Sequence, residues 1–545
     1  MWLYVLTSDS KKPTVFVREA TGLVRELGPW EASAINFCGE TLATGLLSFF
    51  LYSFLFPGAN LLLAIVISVI MFIPLSVSYA MSLAAMPRSG GDYVFISRAM
   101  HPSLGFMLVL SLNVWFAFYS GAFANWIFTI GLAPTLSVIG AVLHAPSLNS
   151  LSSTLSSPLV ATIGGAITII VTGIIAIVST RWTTRLITVL IWIGFLSIAV
   201  ICFVFLTNTN QQFHAAFNSY AASFSNSTDY YATIQTAAAK AGLAQPGFSW
   251  SDTIGMVPFG AYIFLYISEM QAAGGEIKSA KRTAYIASLI TMVVGGGFSI
   301  VTAAAYQNTV TLSFANAITY ASANALPAYV LPVAPTYNFL ASLLVANNVA
   351  ELWLLNIGFV TTSIALLLMY YLFTPRYFLA CAFDRIMPEK LASVSDRFHT
   401  PYGAIIVAVV LALITLPIYS YYATVLATLS AVLGELVFGY LIFGIATIVF
   451  PYAKNTKSIY EGSPINKSIG GIPIITIVGI LNALSLGYIG YLLFVNSSYG
   501  VNSTVSIIAV LLVAAAAPVW YYARKAQFGG KGVDLGMAFK EIPPE

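Results

Sequence analysis

The sequence is poor in charged residues and in residues that bind metals. Asp, Glu, Lys and Arg make up 8% of its 545 residues, whereas about a quarter of the residues of a soluble domain are charged. The three cysteines are odd in number and lie in apolar stretches, so no disulfide framework is indicated. The four histidines lack metal-ligand spacing, and no glycine-rich phosphate-binding motif with a lysine occurs. These absences argue against a soluble fold, a metalloenzyme and an ATP-driven pump.

Apolar residues dominate instead, at 59% of the chain, and the mean hydropathy is +0.87. A helix needs about 20 mostly apolar residues to cross a bilayer. The sequence therefore predicts an all-α integral membrane protein with about twelve transmembrane helices. The predicted spans lie near residues 31–56, 60–86, 103–130, 159–178, 186–206, 256–275, 284–305, 348–373, 403–420, 423–450, 473–495 and 503–523.

The distribution of Lys and Arg predicts how these spans are oriented. Loops on the cytoplasmic side collect Lys and Arg. With the N-terminus inside, the predicted spans place every Lys and Arg except Lys240 on the cytoplasmic side. An error of one span would scramble this sorting, so we predict a multi-pass plasma membrane protein with both termini cytoplasmic. The net charge of +4 follows from the same bias and does not suggest a nucleic-acid partner.

Four carboxylates interrupt the apolar spans: Glu40 in span 1, Glu269 in span 6, Glu351 at the start of span 8 and Glu435 in span 10. Charges inside spans are costly and usually face a cavity or a partner. No Lys or Arg lies deep in a predicted span, so the carboxylates suit a pathway for a proton, a metal cation or an amine. For Glu351 a hydrated position at the outer interface is the alternative, and for Glu435 a helix–helix hydrogen bond.

Spans 1 and 6 also contain glycines and polar residues near their middles. Unwound backbone at membrane depth is tolerated only where it lines a cavity, and half-helix ends there offer free amides or carbonyls to a ligand. A helix-packing face of small residues is the alternative, but two interruptions five spans apart favour a binding site. The predicted substrate-binding residues are Gly39, Glu40, Thr41, Thr44, Gly45, Tyr266, Ser268 and Glu269.

Three predicted cytoplasmic stretches carry motifs, at residues 87–94, at 275–282 and at 376–388 with Thr400-Pro401 downstream. In order and spacing they resemble the amino acid-polyamine-organocation (APC) superfamily, in particular its amino acid permeases. The resemblance covers roughly residues 20–450. It implies a leucine-transporter-type 5+5 inverted repeat plus two extra helices, alternating access, and a site between spans 1, 3, 6, 8 and 10.

This resemblance divides the chain into six parts. They are a cytoplasmic N-terminal segment 1–30, a first inverted repeat 31–206 (spans 1–5), an extracellular loop 207–255, a second repeat 256–450 (spans 6–10), spans 11–12 in 451–523 and a cytoplasmic tail 524–545. It also implies that charged residues of the three motif stretches form a cytoplasmic gate, whereas each of them taken singly would be interpreted as part of an ordinary solvated loop. The predicted gate residues are Arg88, Asp92, Glu276, Arg376 and Asp384.

The coupling ion stays open between sodium and a proton. Gly358, Thr361 and Thr362 in span 8 match a stretch that supplies oxygens to Na⁺ in sodium-coupled members of this fold. Such hydroxyls also commonly satisfy helix backbones. Some proton-coupled relatives carry a Lys in span 5, which is missing from 187–192 here. Proton coupling would then use Glu40, Glu269 or Glu435, and no other cofactor is predicted.

The sequence thus predicts a secondary transporter for amino acids or related amines, coupled to H⁺ or Na⁺ or working as an exchanger. Its partners would be the small-molecule substrate and the bilayer. A sensor or channel on the same fold, or an integral-membrane enzyme, are the alternatives. In span 3, Asn113 and Tyr119 are candidates to reach the site, whereas Trp115 and Phe116 are expected to be packing residues. The oligomeric state does not follow from the sequence.

Overall fold

The computed structural model describes residues 25, 27–267, 269–395, 397–398, 400–422 and 425–540, without the side chains of 392, 425–432, 435 and 505. Eleven helical segments in this part are long and apolar enough to cross a membrane. They are Pro29–Leu55, Leu61–Ala85, Pro102–Val142, Pro158–Val178, Thr180–Thr207, Trp250–Ala272, Ala280–Thr309, Val349–Phe383, Tyr402–Tyr421, Ile474–Val495 and Ser506–Gly529. The helix Val425–Val449 occupies the place of the predicted tenth span. The all-α membrane fold is confirmed, and we number the spans 1–12 in chain order.

Shorter elements join the spans. The helices are Gly91–Ala99, Pro146–Leu155, Asn210–Ala221, Tyr230–Lys240, Leu312–Ala323, Tyr337–Leu344 and Lys457–Gly462. The strands Ser468–Ile469 and Ile472–Pro473 pair antiparallel between spans 10 and 11. The 3₁₀ turn Leu535–Phe539 follows span 12.

Span 1 is broken, as predicted. Its first half-helix, 1a, runs Pro29–Glu40, and its second, 1b, runs Leu42–Leu51. Between them Thr41 has φ 48° and ψ 42°, a left-handed conformation that a β-branched residue rarely adopts. The regular hydrogen-bond pattern cannot pass through such a residue, so the helix stops and restarts there.

Span 6 is interrupted at the depth of the span 1 break. It contains the α-helix Trp250–Met256, the 3₁₀ turn Val257–Gly260 and one α-helical turn, Ala261–Phe264. Beyond the break only the 3₁₀ turns Glu269–Ala272 and Gly274–Glu276 follow. Ser268 lies outside the described residues.

Spans 3 and 8 are longer than predicted. Span 3 continues to Val142 through a π-helical turn, Ile127–Leu132. Pro134 follows that turn and cannot donate a backbone hydrogen bond, so the altered turn accommodates it. Span 8 continues to Phe383, so most of the stretch 376–388 is helix rather than the predicted loop.

The predicted extracellular loop 207–255 and the connection 306–347 between spans 7 and 8 contain four of the short helices. Aromatic residues join them: Tyr231 stacks on Phe314 with centroids 3.8 Å apart, and Phe217 meets Phe314 edge-on at 4.9 Å. Because these segments are rich in Ser and Ala, their composition did not predict that their aromatic residues join helices. The helices form a cap at the end of the protein where Tyr52 and Phe259 lie.

Spans 1 and 6 are the most buried of the eleven segments: 89% and 88% of an 18-residue apolar stretch in each is buried, against 33% in spans 4, 9 and 11 and 22% in span 12. Spans 2, 5, 7 and 8 pack against them, and the Trp115 ring of span 3 lies beside that of Tyr266 in span 6. The two broken helices are thus shielded from lipid, which is the condition for leaving backbone groups unpaired at membrane depth.

Candidate functional site

The two broken spans are held together at their breaks. The Thr41 hydroxyl donates to the Tyr262 carbonyl at 2.8 Å, and the Met270 amide donates to the Asn36 side chain at 3.1 Å. Gly45 lies against span 6 so closely that an added Cβ would be 2.8 Å from Ile263 Cγ1 and 2.9 Å from the Tyr262 carbonyl oxygen. A side chain at position 45 would therefore push the spans apart.

A small pocket of about 30 Å³ lies beside these contacts, bordered by spans 1, 3 and 6. Its walls are aromatic and hydroxyl-bearing, and no charged side chain of the described residues lines it. Trp115 stacks on Tyr119 with ring centroids 4.1 Å apart, and its ring also lies 5.8 Å from that of Tyr266. The lining is Thr41, Thr44, Gly45, Ser48, Trp115, Tyr119, Phe123, Trp126, Tyr262 and Tyr266. We call this the central pocket.

Half-helix 1b begins at the central pocket. Thr41, its N-cap residue, makes no side-chain cap hydrogen bond. The first amides of a helix have no intrahelical partner and carry the positive end of the helix dipole. The pocket therefore offers hydrogen-bond donors and partial positive charge to an anionic group, without a charged side chain.

A larger cavity of about 400 Å³ lies next to the central pocket. Its walls come from the end of span 1 (Tyr52, Phe54, Leu55), the start of span 6 and the segment 497–501. Tyr262 lines both this cavity and the central pocket. We call the cavity the vestibule; Tyr262 stands between it and the pocket.

The opposite end of the protein is closed by two buried ion pairs. Arg98 holds Asp384 through two hydrogen bonds, Nη1 to Oδ2 at 2.6 Å and Nη2 to Oδ1 at 3.0 Å. Both side chains are at most 1% exposed, and the Tyr93 hydroxyl also donates to Asp384. The pair joins the helix after span 2 to the end of span 8.

The second pair joins span 8 to span 6. Arg376 Nε donates to Glu276 Oε1 at 2.9 Å and its Nη2 donates to Oε2 at 3.2 Å. Nearby, Leu27 pairs with the backbone beyond Glu276 in a short parallel bridge. Gly90, at φ 67°, lets its chain approach span 8, since a Cβ there would be 2.6 Å from that of Ala380. We call these two ion pairs and their surroundings the gate.

The other two predicted gate residues make different contacts. Asp92 is buried and accepts hydrogen bonds from Tyr79 at 3.1 Å and Tyr377 at 3.2 Å, rather than forming an ion pair. Burial raises the pKa of the Asp92 carboxyl from its ordinary value to about 7, and the two tyrosine hydrogen bonds only partly oppose this. Arg88 donates to the Pro87 carbonyl at 2.9 Å.

The C-terminal turn Leu535–Phe539 covers the gate. Arg98 Nη2 donates to the Ala538 carbonyl at 3.4 Å, and the guanidinium lies 5.2 Å from the centre of the Phe539 ring. Leu535 and Phe539 are themselves buried. A segment distant in sequence is thus part of the closed end.

The structure does not place the predicted carboxylates in the central pocket. Glu40 ends half-helix 1a and its carboxyl lies against Gly295 of span 7. Glu269 lies beneath the pocket beside Gly39 and accepts a hydrogen bond from Tyr440 at 3.1 Å. Thr41, Thr44, Gly45 and Tyr266 line the central pocket, whereas Gly39, Glu40 and Glu269 are not among its lining residues, so their part in substrate binding stays a prediction.

Two further carboxylates were candidates. Glu351 is exposed in the first turn of span 8, in agreement with the interfacial alternative. Glu435 lies in the helix Val425–Val449, but its side chain is outside the described residues, so its predicted role in coupling stays a prediction.

The residues predicted to bind sodium meet span 5 at Gly194, beside the Gly358 carbonyl and the two threonines. The Thr361 hydroxyl donates to that carbonyl at 3.3 Å, a common way to satisfy a helix backbone. An adjoining cavity of about 10 Å³ is lined by apolar residues apart from Thr362. A hard cation requires several oxygen ligands, and sodium binding at these residues stays a prediction.

Sequence reasoning missed most of the aromatic lining. Tyr119 was a candidate, but Trp115 was expected to be a packing residue, and Phe123, Trp126 and Tyr262 were not singled out. Asn113, the other candidate, bonds the Val109 carbonyl of its own helix. The span 3 aromatics are separated by four, four and three residues, so they form a stripe on one helix face. That spacing was the available signal.

The comparisons with known proteins agree with this architecture. A family model described as "Amino acid permease" matches residues 27–516, nearly the whole chain. A search of curated proteins found no match to this sequence.

Proposed function

The chain belongs to the amino acid permease family, and from this premise we propose that it is a secondary transporter that moves amino acids by alternating access. The family is one of transporters rather than enzymes. The observation that carries the proposal is the central pocket, a small aromatic space enclosed by two broken, lipid-shielded helices. We propose the plasma membrane as its location, with both termini and the gate on the cytoplasmic side, where Lys and Arg collect.

The pocket's chemistry favours a zwitterion with a neutral side chain. A substrate carboxylate would accept hydrogen bonds from the first amides of half-helix 1b. The ammonium would lie over an aromatic face, such as that of Trp115 or Tyr266, which attracts cations. A charged substrate side chain would find no counter-charge among the described lining residues, so neutral amino acids are proposed over polyamines.

The conformation supports a route from the vestibule to the pocket. The vestibule reaches the pocket at Tyr262, whereas two buried ion pairs close the gate end. In the proposed cycle the substrate enters past Tyr262, the vestibule closes, and the gate pairs then separate. A continuously open channel is disfavoured, because both ion pairs block one end.

The test is a thermal-shift screen of the purified protein against individual amino acids and polyamines. A ligand that binds only the folded state raises its apparent stability. We expect neutral amino acids to stabilise the wild type, but not the variant Tyr262→Ala. The control Tyr488→Ala removes a tyrosine from the outer face of span 11 and should respond like the wild type. Stabilisation by polyamines alone, or an equal response of Tyr262→Ala, would refute the proposed site.

A further inference from the structure

Glu40 is a buried carboxylate that does not line the central pocket, so substrate binding there does not account for its position. The residue is 0% exposed, and within the described part of the chain neither carboxyl oxygen has a hydrogen-bond partner. It ends half-helix 1a, where the helix dipole presents its negative end. An ionised carboxylate in this position would be buried, unpaired and next to like partial charge, which is very costly.

The space that receives this carboxyl is formed by span 7. The carboxyl lies against Gly295, and a Cβ at that position would overlap both of its oxygens. Gly295 is the last residue of a π-helical turn, Thr291–Gly295, within span 7. We call this space the Glu40 niche. Any side chain larger than hydrogen at position 295 would fill it.

Buried hydroxyls continue along span 7 on both sides of the niche. Ser288, Thr291 and Ser299 are at most 4% exposed, and with Gly295 they recur at three- and four-residue spacing, on one helix face. The hydroxyls of Ser288 and Ser299 have no hydrogen-bond partner among the described residues. This face therefore provides polar groups in line with the carboxyl, at membrane depth.

The titratable groups on the elements packed against half-helix 1a leave Glu40 without a counter-charge. None of those described hydrogen-bonds to its carboxyl. They are Lys281, Arg282, Tyr285 and Tyr306 of span 7, Arg181, Arg185 and Cys202 of span 5, Asp252, Tyr262, Tyr266 and Glu269 of span 6, and Glu351, Tyr370, Tyr371, Arg376, Tyr377 and Cys381 of span 8.

We propose that Glu40 is the binding site of a coupling proton, separate from the substrate pocket, and that span 7 accepts the protonated carboxyl. The inference rests on the proposed function. One proton is bound to a Glu40 carboxyl oxygen in this conformation and is released to water when half-helix 1a moves away from span 7. A proton fits better than a metal cation, because the niche presents a glycine rather than a shell of oxygens.

The connection to transport lies in the adjacent residue. Thr41 follows Glu40 directly, lines the central pocket and is tied to the Tyr262 carbonyl. Substrate in the pocket and the proton in the niche therefore act on the same break of span 1. Each ligand is expected to change the other's affinity, as thermodynamic linkage requires.

The test uses the full-length protein in liposomes with an amino acid identified by the thermal-shift screen. A pH gradient is imposed, and two rates are measured: accumulation above equilibrium, and exchange of external for internal substrate at equal pH. We expect the wild type to do both. Glu40→Gln, which resembles the protonated carboxyl, should retain exchange but lose accumulation, and its substrate affinity should no longer vary with pH. Glu351→Gln, at the exposed start of span 8, is the matched control and should behave like the wild type.

Gly295→Ala provides a second variant, with the carboxyl intact but displaced from the niche, in case Glu40→Gln does not fold. It should also lose accumulation. Accumulation by Glu40→Gln or by Gly295→Ala equal to that of the wild type would overturn the proton site. Exchange without pH-driven accumulation in the wild type would also overturn it, while leaving the proposed function standing. If the wild type neither binds nor exchanges any amino acid, the proton site and the proposed function are both overturned.

Discussion

The sharpest prediction concerns the buried gate pair, which Asp384→Asn breaks. The substitution keeps the shape of the side chain but leaves the Arg98 guanidinium, at 1% exposure, without its carboxylate. Removing one partner of a buried ion pair costs about 3–5 kcal/mol. The cost falls on the closed gate, since opening the gate would hydrate Arg98. Every 1.4 kcal/mol is about a tenfold change in an equilibrium, so the open population should rise roughly a hundredfold or more.

A native cysteine reports this change. Cys381 lies one helical turn before Asp384 and is buried, as are Cys38 and Cys202 elsewhere in the protein. The assay is labelling with a hydrophilic maleimide, with the modified peptide identified by mass spectrometry. We expect Asp384→Asn to speed the labelling of Cys381 but not that of Cys202, because general unfolding would expose both.

The matched control is Glu461→Gln, which breaks the exposed pair of Lys457 and Glu461, 3.9 Å apart. Exposed pairs one helical turn apart contribute only about 0.3–0.5 kcal/mol, so labelling should not change. Equal labelling of Cys381 in Asp384→Asn and the wild type would show that the pair does not hold the gate closed. Parallel increases at all three cysteines would indicate loss of folding instead, and would equally contradict the prediction.

Three further predictions follow from the same contacts. Gly45→Ala should lower the apparent melting temperature relative to Gly487→Ala, because crowding against span 6 costs about 1–3 kcal/mol while both variants gain the same helix propensity. Asp92 has a pKa raised to about 7, so its contribution to stability is complete below about pH 4 and is lost as pH rises through 7. Asp92→Asn should therefore raise the melting temperature at pH 8, where the ionised carboxyl costs about 4 kcal/mol, and should change it little at pH 4. Phe539→Ala removes the ring over Arg98 and should modestly increase Cys381 labelling, since such contacts contribute about 0.5–2 kcal/mol.

Each of these predictions has a result that would count against it. A Gly45→Ala protein as stable as Gly487→Ala, which has open space around its Cβ position, would mean that spans 1 and 6 are not in close contact. An unchanged pH profile in Asp92→Asn would assign the pH dependence to other groups. Unaltered labelling in Phe539→Ala would mean that the C-terminal turn does not support the closed gate.

The topology could be predicted from sequence because two independent physical signals agree on it. Hydropathy marks the spans, and the cost of moving Lys and Arg across a membrane supports their number, while the orientation that it predicts stays a prediction. The breaks near Thr41 and Tyr266 were also predictable, because glycines and polar groups in the middle of an apolar span indicate unwound backbone that lines a cavity.

The direction of each side chain could not be predicted in the same way. A helix buried on all sides is apolar all round, so hydropathy does not indicate which face of span 3 meets the pocket. Glu40 shows the same limit: its position next to the break suggested a substrate contact, but its carboxyl lies against Gly295 of span 7. The direction of a side chain depends on helix handedness and on the local backbone conformation, and amino-acid composition indicates neither.

The gate partners depended on tertiary contacts. Asp384 pairs with Arg98, which lies four residues beyond the motif stretch 87–94 and was not among the predicted gate residues. Asp92, a predicted gate residue, is held by two tyrosines instead. The participation of Phe539, far along the chain, had no local signal at all.

The most direct test of the central claim is substrate exchange in proteoliposomes, comparing the wild type with Tyr262→Ala and Tyr488→Ala. The measurement is the uptake of a radiolabelled neutral amino acid against an excess of the same compound inside. We predict saturable exchange by the wild type and by Tyr488→Ala, and its loss in Tyr262→Ala. No exchange of any amino acid by the wild type, or full exchange by Tyr262→Ala, would contradict a transport site at the breaks of spans 1 and 6.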